Sequence, residues 1–281
     1  MKRKVTQKQN NKNFGNRNIK RTLVANNFSA PSLQENQVLI CGKHPAFSAL
    51  ERRRRKIYNI FITQNLEKEL IEFLQKNSLQ ELKNLIKIVE KDFIENLAKG
   101  SLSQNIALIS SKLKTKQQFD LLEELYNLED KNNLPPLILL DEISDPHNVG
   151  AIIRSSIAFG VNKIIFCKHN APSENSTIIK CAAGAIERAE LIEATNFNNL
   201  MEKLKKIGYW CIGLAGEAKS DINAIRNYKN IALIIGSEGN GIKNLIKKNC
   251  DLLVKIPINN VESLNASVAA ALALYEISKN V

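Results

Sequence analysis

Five apolar runs in the second half of the chain alternate with segments of helical periodicity. Near-continuously apolar strands separated by helices indicate a parallel sheet that helices cover on both faces. The predicted strands are Leu137–Leu140, Lys163–Cys167, Tyr209–Leu214, Ile231–Ile235 and Leu252–Ile256. The predicted helices are Val149–Phe159, Phe197–Ile207, Ile242–Lys248 and Leu264–Ser278. We therefore predict one α/β domain over residues 134–281, with ligands bound beyond the carboxyl ends of its strands.

A smaller α/β domain is predicted over residues 37–110, where short strands again alternate with helical patterns. Its predicted strands are Gln37–Cys41, Ile57–Thr63 and Ile106–Ile109, and its predicted helices are Ala46–Arg54, Leu66–Leu74 and Leu79–Val89. Residues 111–133 are polar and charged, with a helical middle at Phe119–Leu128. We interpret them as a linker between the two domains.

The chain carries a net charge of +12, from 40 Lys and Arg against 28 Asp and Glu. Residues 1–34 hold eight of the cations and no acid. Five more cations form one run: Arg52, Arg53, Arg54, Arg55 and Lys56. The rest of the chain is close to neutral, so two segments make the protein basic. A surplus of this size points to a polyanionic partner, most often nucleic acid.

Each basic segment has more than one interpretation. Residues 1–36 are predicted to form a disordered basic tail, because they are rich in Asn, Gln and Lys and follow no regular period. Such a tail favours capture of an RNA backbone, and the alternatives are a solubilising extension or an organelle transit peptide. The run over residues 52–56 predicts an RNA phosphate clamp, or else cations that the dipole favours at a helix C-terminus.

Several classes of protein do not fit the remaining composition. The longest apolar run, Val268–Tyr275, is eight residues long and too short to span a membrane. Five scattered cysteines without a C-x-x-C pair, and only three histidines, argue against a zinc site or a disulfide framework. No apolar signal-peptide core follows the basic start. We expect a cytoplasmic protein with no membrane partner and no metal.

The loop after the first strand of the larger domain combines a helix start with an arginine. Asp145 and Pro146 predict a helix entry. Gly150 and Arg154 lie four residues apart and share one helix face, so we expect open space beside the guanidinium. An arginine on a helix that covers a sheet is costly unless it meets an anion or a carboxylate. The alternative is that its side chain extends to solvent.

Two further loops follow strands at the same predicted edge of the sheet. Gly236–Gly241 contains three glycines, which let backbone approach a ligand, and Glu238 among them is suited to orienting a hydroxyl or binding an amine. In the loop over residues 256–267, Ser263 is a natural N-cap for the last helix, and Asn265 adds a polar group beside it. Alone, the first of these loops is as consistent with a flexible turn, and the second with a helix cap.

Taken in order, the three loops resemble the three motifs of the SpoU/TrmH-type RNA 2′-O-ribose methyltransferases of the SPOUT superfamily. The matching segments are DPHNVGAIIR at 145–154, IIGSEGNG at 234–241, and IP followed by VESLNASVA within 256–269. The segment AGAIE at 183–187 resembles another family segment. GKHP at 42–45 also resembles, more loosely, the small RNA-binding domain of the branch that methylates a guanosine of large-subunit ribosomal RNA.

The resemblance implies an α/β fold with a deep C-terminal trefoil knot and a homodimer whose active site lies at the subunit interface. It implies S-adenosyl-L-methionine (AdoMet) as the cofactor and an RNA ribose 2′-hydroxyl as the methyl acceptor. Carried over to this sequence, the cofactor contacts are Gly236, Ile256 and Leu264, with Leu214, Ala215 and Gly216 as a further wall. The catalytic group is Asn148, Arg154, Glu238, Ser263 and Asn265.

The implied chemistry suits these residue types. In-line methyl transfer depends on positioning, and the acceptor hydroxyl must lose a proton. A guanidinium does not deprotonate in proteins, so we expect Arg154 to bind a neighbouring phosphate and stabilise the forming alkoxide. Water, phosphate or another group then accepts the proton.

Two segments depart from the family pattern. The loop over residues 257–261 is about one residue shorter than is typical, which would reshape the cofactor pocket, and residues 102–105 replace a His-Gln-Gly element of many relatives. The second departure concerns the RNA target more than the reaction. We therefore expect methylation of ribosomal RNA, with the same reaction on transfer RNA, or a non-catalytic RNA-binding or ribosome-assembly factor, as alternatives.

Overall fold

The chain forms two β-sheets, and the computed structural model describes residues 31–99, 103–168 and 173–279. Most of the predicted tail, residues 1–30, lies outside the described residues. The first sheet has the spatial order β1-β4-β2-β3, with β4 antiparallel to both of its neighbours. Its strands are β1 (Gln37–Cys41), β2 (Ile57–Ile62), β3 (Ile86–Ile88) and β4 (Ile106–Ser111). Its helices are α1 (Lys43–Arg52), α2 (Glu67–Lys76) and α3 (Lys91–Leu97).

The second sheet has eight strands, and every neighbouring pair is parallel. The strands are β5 (Lys116–Gln117), β6 (Leu137–Asp141), β7 (Lys163–Cys167), β8 (Glu190–Ala194), β9 (Trp210–Leu214), β10 (Ser220–Asp221), β11 (Ile231–Gly236) and β12 (Leu252–Lys255). Their spatial order is β10-β12-β9-β11-β6-β7-β8-β5. The helices are α4 (Gln118–Asn127), α5 (Pro146–Ala158), α6 (Ser176–Ala182), α7 (Phe197–Ile207), α8 (Asn244–Lys248) and α9 (Ala266–Ser278).

Side chains of the central strands alternate between two apolar layers, as the period of a strand requires. Ile138 and Leu140 on β6 pack in the layer that contains α5, α6 and α9. Leu137 and Leu139 pack in the layer that contains α4 and α7. The predicted parallel sheet with helices on both faces is therefore confirmed. Among the described residues, no helix is long and apolar enough to cross a membrane.

Two segments differ from the sequence predictions. Residues 79–89, predicted as a helix, form a 3₁₀ turn (Gln80–Leu85) followed by β3, because Ile86 pairs with Ile60 across to β2. Residues 111–133, predicted as a linker, include β5, which pairs with β8, and α4, whose buried leucines pack in the layer of α7. This segment is therefore partly built into the second sheet and its cover. Strand β8 and helices α3 and α6 were not predicted from the sequence.

A buried arginine joins the two sheets. The Arg55 side chain is fully buried between β2 and the second sheet, and its Nε donates to Glu187 Oε1 at 2.7 Å. The guanidinium also pairs with Glu174 and donates to the Ser111 carbonyl at 3.0 Å. Burial raises the pKa of the Glu187 carboxyl more than the charge of Arg55 lowers it. The interpretation of Arg55 as an RNA-binding residue is wrong, because its guanidinium is buried and ion-paired with Glu174 and Glu187.

A second ion cluster anchors β5 and α4 to the sheet. Lys163, whose side chain is 4% exposed, lies 2.7 Å from a Glu124 oxygen and 3.2 Å from a Glu190 oxygen. Lys116 on β5 contacts the same two glutamates. Burial alone would raise the pKa of both carboxyls, but hydrogen bonds from the two lysines outweigh it and lower both pKa values.

We expect Arg55→Ala to lower the free energy of unfolding by about 3–5 kcal/mol, because it leaves buried carboxylates without their counter-charge. Urea denaturation measures this loss. The matched control is Arg52→Ala, an exposed member of the same run, which should change stability by less than about 0.5 kcal/mol. Equal effects of the two substitutions would contradict the buried ion pairing.

The second cluster predicts a pH effect. Carboxyls with lowered pKa values stabilise the fold above about pH 4.5, and this contribution is lost as the pH falls through the folded-state pKa values. Lys163→Met should therefore flatten the fall in stability between about pH 5 and pH 3, measured by urea denaturation at each pH. Lys91→Met, which removes an exposed partner of Glu95, should leave that slope unchanged.

Candidate active site

Four loops converge at the carboxyl end of the second sheet. They follow β6, β9, β11 and β12, and three of them surround a cavity of about 160 Å³. All six predicted cofactor contacts line it: Leu214, Ala215, Gly216, Gly236, Ile256 and Leu264. Glu238 and Ser263 also line it, and so do Ile258 and Glu262, which were not among the predicted site residues. The position agrees with the predicted binding edge of a parallel sheet.

Gly236 permits a tight crossing of backbone behind this cavity. A Cβ at position 236 would lie 2.0 Å from the Gly241 carbonyl carbon, so only glycine fits. The turn is closed by the Gly241 N–H, which donates to the Ser237 carbonyl at 2.8 Å. Beyond it, the Lys243 N–H donates to Asp141 Oδ2 at 2.9 Å. Burial raises the pKa of the Asp141 carboxyl, an effect larger than the opposing one of this hydrogen bond.

Two amides meet the carboxylate of Glu238, which lines the cavity. Asn148 Nδ2 donates to Glu238 Oε1 at 2.5 Å, and Asn265 Nδ2 donates to the same oxygen at 2.7 Å. Asn265 Nδ2 also donates to Asn148 Oδ1 at 2.9 Å. Asn148 comes from the first turn of α5, which Asp145 caps by accepting the His147 N–H at 2.9 Å. Three of the five predicted catalytic residues are therefore brought together.

The orientation of the Asn265 amide follows from the contact of its oxygen with Ser267. Asn265 is the N-cap of α9, and its Oδ1 accepts the Ser267 N–H at 2.9 Å and the Ser267 hydroxyl at 2.6 Å. With the oxygen facing the helix, the amide nitrogen faces Glu238 and Asn148. The prediction that Ser263 caps this helix is wrong, because the helix begins three residues later. Ser263 instead lies exposed beside the cavity.

Arg154 is not part of this cluster within one chain. It lies exposed in a groove between the two sheets, which we call the interdomain groove, together with Lys43, His44, Phe47 and Arg188. The open space expected beside Gly150 is absent, because a Cβ there would lie 2.5 Å from the Cys181 Cβ. Gly150 serves the close packing of α5 against α6.

The remaining basic run differs in position from residue to residue. Arg54 donates to the carbonyls of Glu187 and Ala189 at 3.0 and 2.6 Å, and Arg53 donates to that of Ser78 at 3.1 Å. Arg52 and Lys56 are exposed. Arg52 therefore lies where the helix C-terminus alternative expects a cation, whereas Arg53, Arg54 and Arg55 bond to carbonyls within the protein.

The arrangement favours binding of a small cationic molecule with a flat apolar part. Leu214, Ile256 and Leu264 supply apolar walls, and the carboxylates of Glu238 and Glu262 attract positive charge. Space is available at Gly216, where a Cβ would meet no atom within 4 Å. Among the described residues, no three His, Cys, Asp or Glu side chains are grouped to hold a metal ion.

Comparison with known proteins gives a consistent result. Residues 135–275 match the SpoU rRNA Methylase family. The chain is 32% identical over 244 residues to the "Putative TrmH family tRNA/rRNA methyltransferase YacO" of Bacillus subtilis, covering 85% of this chain and 94% of that protein. A Staphylococcus haemolyticus protein with the same family name is also 32% identical, with the same coverage.

Solved structures share the fold across both sheets. The SpoU methyltransferase AviRb from Streptomyces viridochromogenes, in complex with the cofactor AdoMet, has a TM-score of 0.68 at 21% identity, covering 87% of this chain and 90% of its own. An AdoMet-bound rRNA methyltransferase from Sinorhizobium meliloti has a TM-score of 0.68 at 18% identity, covering 88% of each chain. An RNA 2′-O ribose methyltransferase has a TM-score of 0.65 at 18% identity, covering 87% and 89%.

The close approach of the Gly236 and Gly241 backbones predicts that alanine substitutions at Gly236 and Gly216 differ sharply in their effect on stability. Gly236→Ala should lower the free energy of unfolding by about 3 kcal/mol, at the upper end of overpacking costs, because the collision is with backbone. Gly216→Ala places a methyl group in open space and should change stability by less than about 0.5 kcal/mol. Thermal or urea unfolding of the two variants measures the contrast, and a Gly236→Ala protein of wild-type stability would contradict the crossing.

Proposed function

We propose that this chain, which belongs to the SpoU rRNA methylase family, methylates a ribose 2′-hydroxyl of RNA. As a member of that family it is an AdoMet-dependent RNA methyltransferase. The observation that carries the ribose assignment is the Asn148–Glu238–Asn265 cluster, whose carboxylate lines a largely apolar cavity. A carboxylate held by two amides is a rigid acceptor for a hydroxyl hydrogen bond.

The cavity residues fit AdoMet. Leu214, Ile256 and Leu264 would hold its adenine between apolar side chains, and Gly216 leaves room beside them. When bound, AdoMet supplies an electrophilic sulfonium methyl group. The carboxylates of Glu238 and Glu262 would attract the positive charge of the sulfonium, and the backbone near Gly236 would lie close to the cofactor.

The cluster's role is to position the acceptor ribose. Two amide donors hold Glu238 Oε1, which leaves the other carboxylate oxygen for a ribose hydroxyl. Ser263, exposed on the cavity wall, supplies a further hydroxyl for hydrogen bonding. Arg154 would bind a neighbouring phosphate and stabilise the forming alkoxide, while water, phosphate or another group accepts the proton.

Arg154 would reach this chemistry from a second copy of the chain. It lines the interdomain groove and not the cavity of its own chain. Helix α9, which packs against α5, is apolar on most sides and leaves Val268, Leu272 and Tyr275 about half exposed along one stripe. We infer that this stripe is covered in a homodimer, whose interface brings Arg154 of one copy to the cavity of the other.

The knotted topology is part of the same proposal. The segment over residues 256–264 borders the same cavity as the turns after β9 and β11. Strand β12 lies between β10 and β9 and not beside β11, the strand that precedes it in the chain. A chain threaded through a loop would bring these three segments around one cofactor.

Ribosomal RNA is the substrate that we propose, with a guanosine of the large-subunit molecule as the methylated nucleotide. The small N-terminal sheet supports this choice, because the resemblance of GKHP at 42–45 is to the branch with that target. The relatives' family name covers both transfer and ribosomal RNA, so transfer RNA is the second candidate.

Incubation with tritiated AdoMet and unmodified ribosomal or transfer RNA tests the proposal. We expect label in large-subunit ribosomal RNA, recovered as 2′-O-methylguanosine after nuclease digestion. Label in transfer RNA alone would make transfer RNA the substrate in place of ribosomal RNA. Label on a base rather than a ribose would contradict the proposed 2′-O-methylation. Label in neither RNA would favour the non-catalytic binding factor.

Arg154→Ala should reduce methyl transfer by more than about a hundredfold, because it removes a charge that acts on the transition state. AdoMet affinity, measured by equilibrium dialysis, should remain within about twofold, since the proposed role of Arg154 is toward the RNA phosphate and the forming alkoxide and not toward the cofactor. The matched control is Lys206→Ala on α7, an exposed cation on the other face of the sheet. Near-normal turnover of Arg154→Ala would remove this residue from the mechanism.

A further inference from the structure

The interdomain groove has a volume of about 570 Å³ and lies between α1 of the first sheet and α5 of the second. Its walls are held together, because the Ser48 hydroxyl donates to the Gly184 carbonyl at 2.9 Å. A Cβ at Gly184 would lie 2.8 Å from the Ser48 Cβ and 3.2 Å from the His44 carbonyl oxygen. The groove is therefore a preformed feature of the packing between the two sheets.

Two phenylalanines line the groove on the side of the first sheet. The rings of Phe47 and Phe73 have centroids 4.5 Å apart and are tilted by 56°. Both rings are half-buried, and both pack partly on the core. Lys43 Nζ lies 6.0 Å from the Phe47 centroid. An aromatic surface with a cation beside it is typical of sites where an unpaired nucleobase stacks.

Two arginines on the opposite side have no acidic partner among the described residues. Arg154 and Arg188 are exposed and line the groove. Glu51 is the one acid among the described residues that line it. Lys43 is paired with Glu69, so Arg154 and Arg188 against Glu51 leave the lining with a net positive charge, which suits a phosphate group.

We propose that the interdomain groove binds one unpaired nucleotide of the RNA substrate, next in sequence to the methylated one. Its base stacks on Phe47 and Phe73, and the flanking phosphates lie on Arg154 and Arg188. Because Arg154 belongs both to this groove and to the proposed chemistry, a nucleotide seated here sets the register of the target ribose. The claim about the register of the target ribose rests on the proposed function, whereas the claim that a nucleotide binds in the groove does not.

Photocrosslinking locates the base. A short single-stranded oligouridine that carries one 5-iodouridine is irradiated with the full-length protein, and the adducts are mapped by peptide mass spectrometry. We expect adducts on Phe47 or Phe73. The chain holds its own controls, since Phe119, Tyr126 and Trp210 are 70%, 58% and 46% exposed outside the groove. Adducts confined to those residues, or no adduct at saturating RNA, would overturn the proposal.

Affinity for the same oligouridine separates stacking from charge. Phe47→Leu, which keeps an apolar side chain, should weaken binding about fivefold or more and leave the salt dependence unchanged. Arg188→Gln should weaken binding at low salt and reduce the slope of log affinity against log salt by about 0.7. Lys206→Gln is the matched control and should do neither. Unchanged affinity in both groove variants would contradict the site.

Methyl transfer by the wild-type protein, measured in parallel, keeps the two proposals apart. Crosslinks in the groove without label in any RNA would sustain the nucleotide site and reject the proposed function. Label in ribosomal RNA with crosslinks elsewhere would sustain the function and reject the site. In an active preparation, Arg188→Gln should raise KM for RNA severalfold with little change in kcat, which a merely structural role would not produce.

Discussion

The close packing of α5 against α6 at Gly150 is the contact on which both the cluster and the groove depend. A Cβ at this position would lie 2.5 Å from the Cys181 Cβ and 2.7 Å from the Ile178 carbonyl oxygen, so the helices meet at backbone distance. Helix α5 presents Asn148 at its amino end and Arg154 six residues later. Helix α6 leads directly to Gly184, on which the first sheet rests through Ser48. One helix pair therefore sets the position of the cluster relative to the groove.

Arginines at the junction and in the groove show two ways of accommodating the same charge. Burying Arg55 would be prohibitive without counter-charge, and Glu174 and Glu187 supply it from segments more than a hundred residues away. Arg154 and Arg188 stay exposed, so water solvates them and their lack of a partner costs the fold little. The first arrangement fixes the two sheets together, and the second leaves charge available for a ligand.

The parallel sheet was predictable because its central strands are buried on both faces and their apolar runs carry that signal locally. The residues of the cluster were predictable through three ordered motifs. The positions that failed depend on distant partners. Residues 79–89 have a helical apolar spacing, but pairing with β2 turns their end into a strand. Arg55 looked like its exposed neighbours because nothing near it in sequence reveals its glutamates. The segment over 111–133 has the polar composition of a linker, and its strand forms only by pairing with β8, which the sequence pattern does not predict.

Asn265 shows why one residue type satisfies two requirements at once. An N-cap needs a side-chain acceptor, which Asp, Ser, Thr and Asn all provide. The cluster needs donors, because Glu238 Oε1 and Asn148 Oδ1 both accept from the same amide nitrogen. An ionised Asp has no donor and would repel Glu238, and a Ser hydroxyl has only one. Asn caps α9 with its oxygen and donates two N–H bonds with its nitrogen. Formation of the last helix therefore orients the group that holds the site's carboxylate, so the site is completed only when the C-terminal segment is folded.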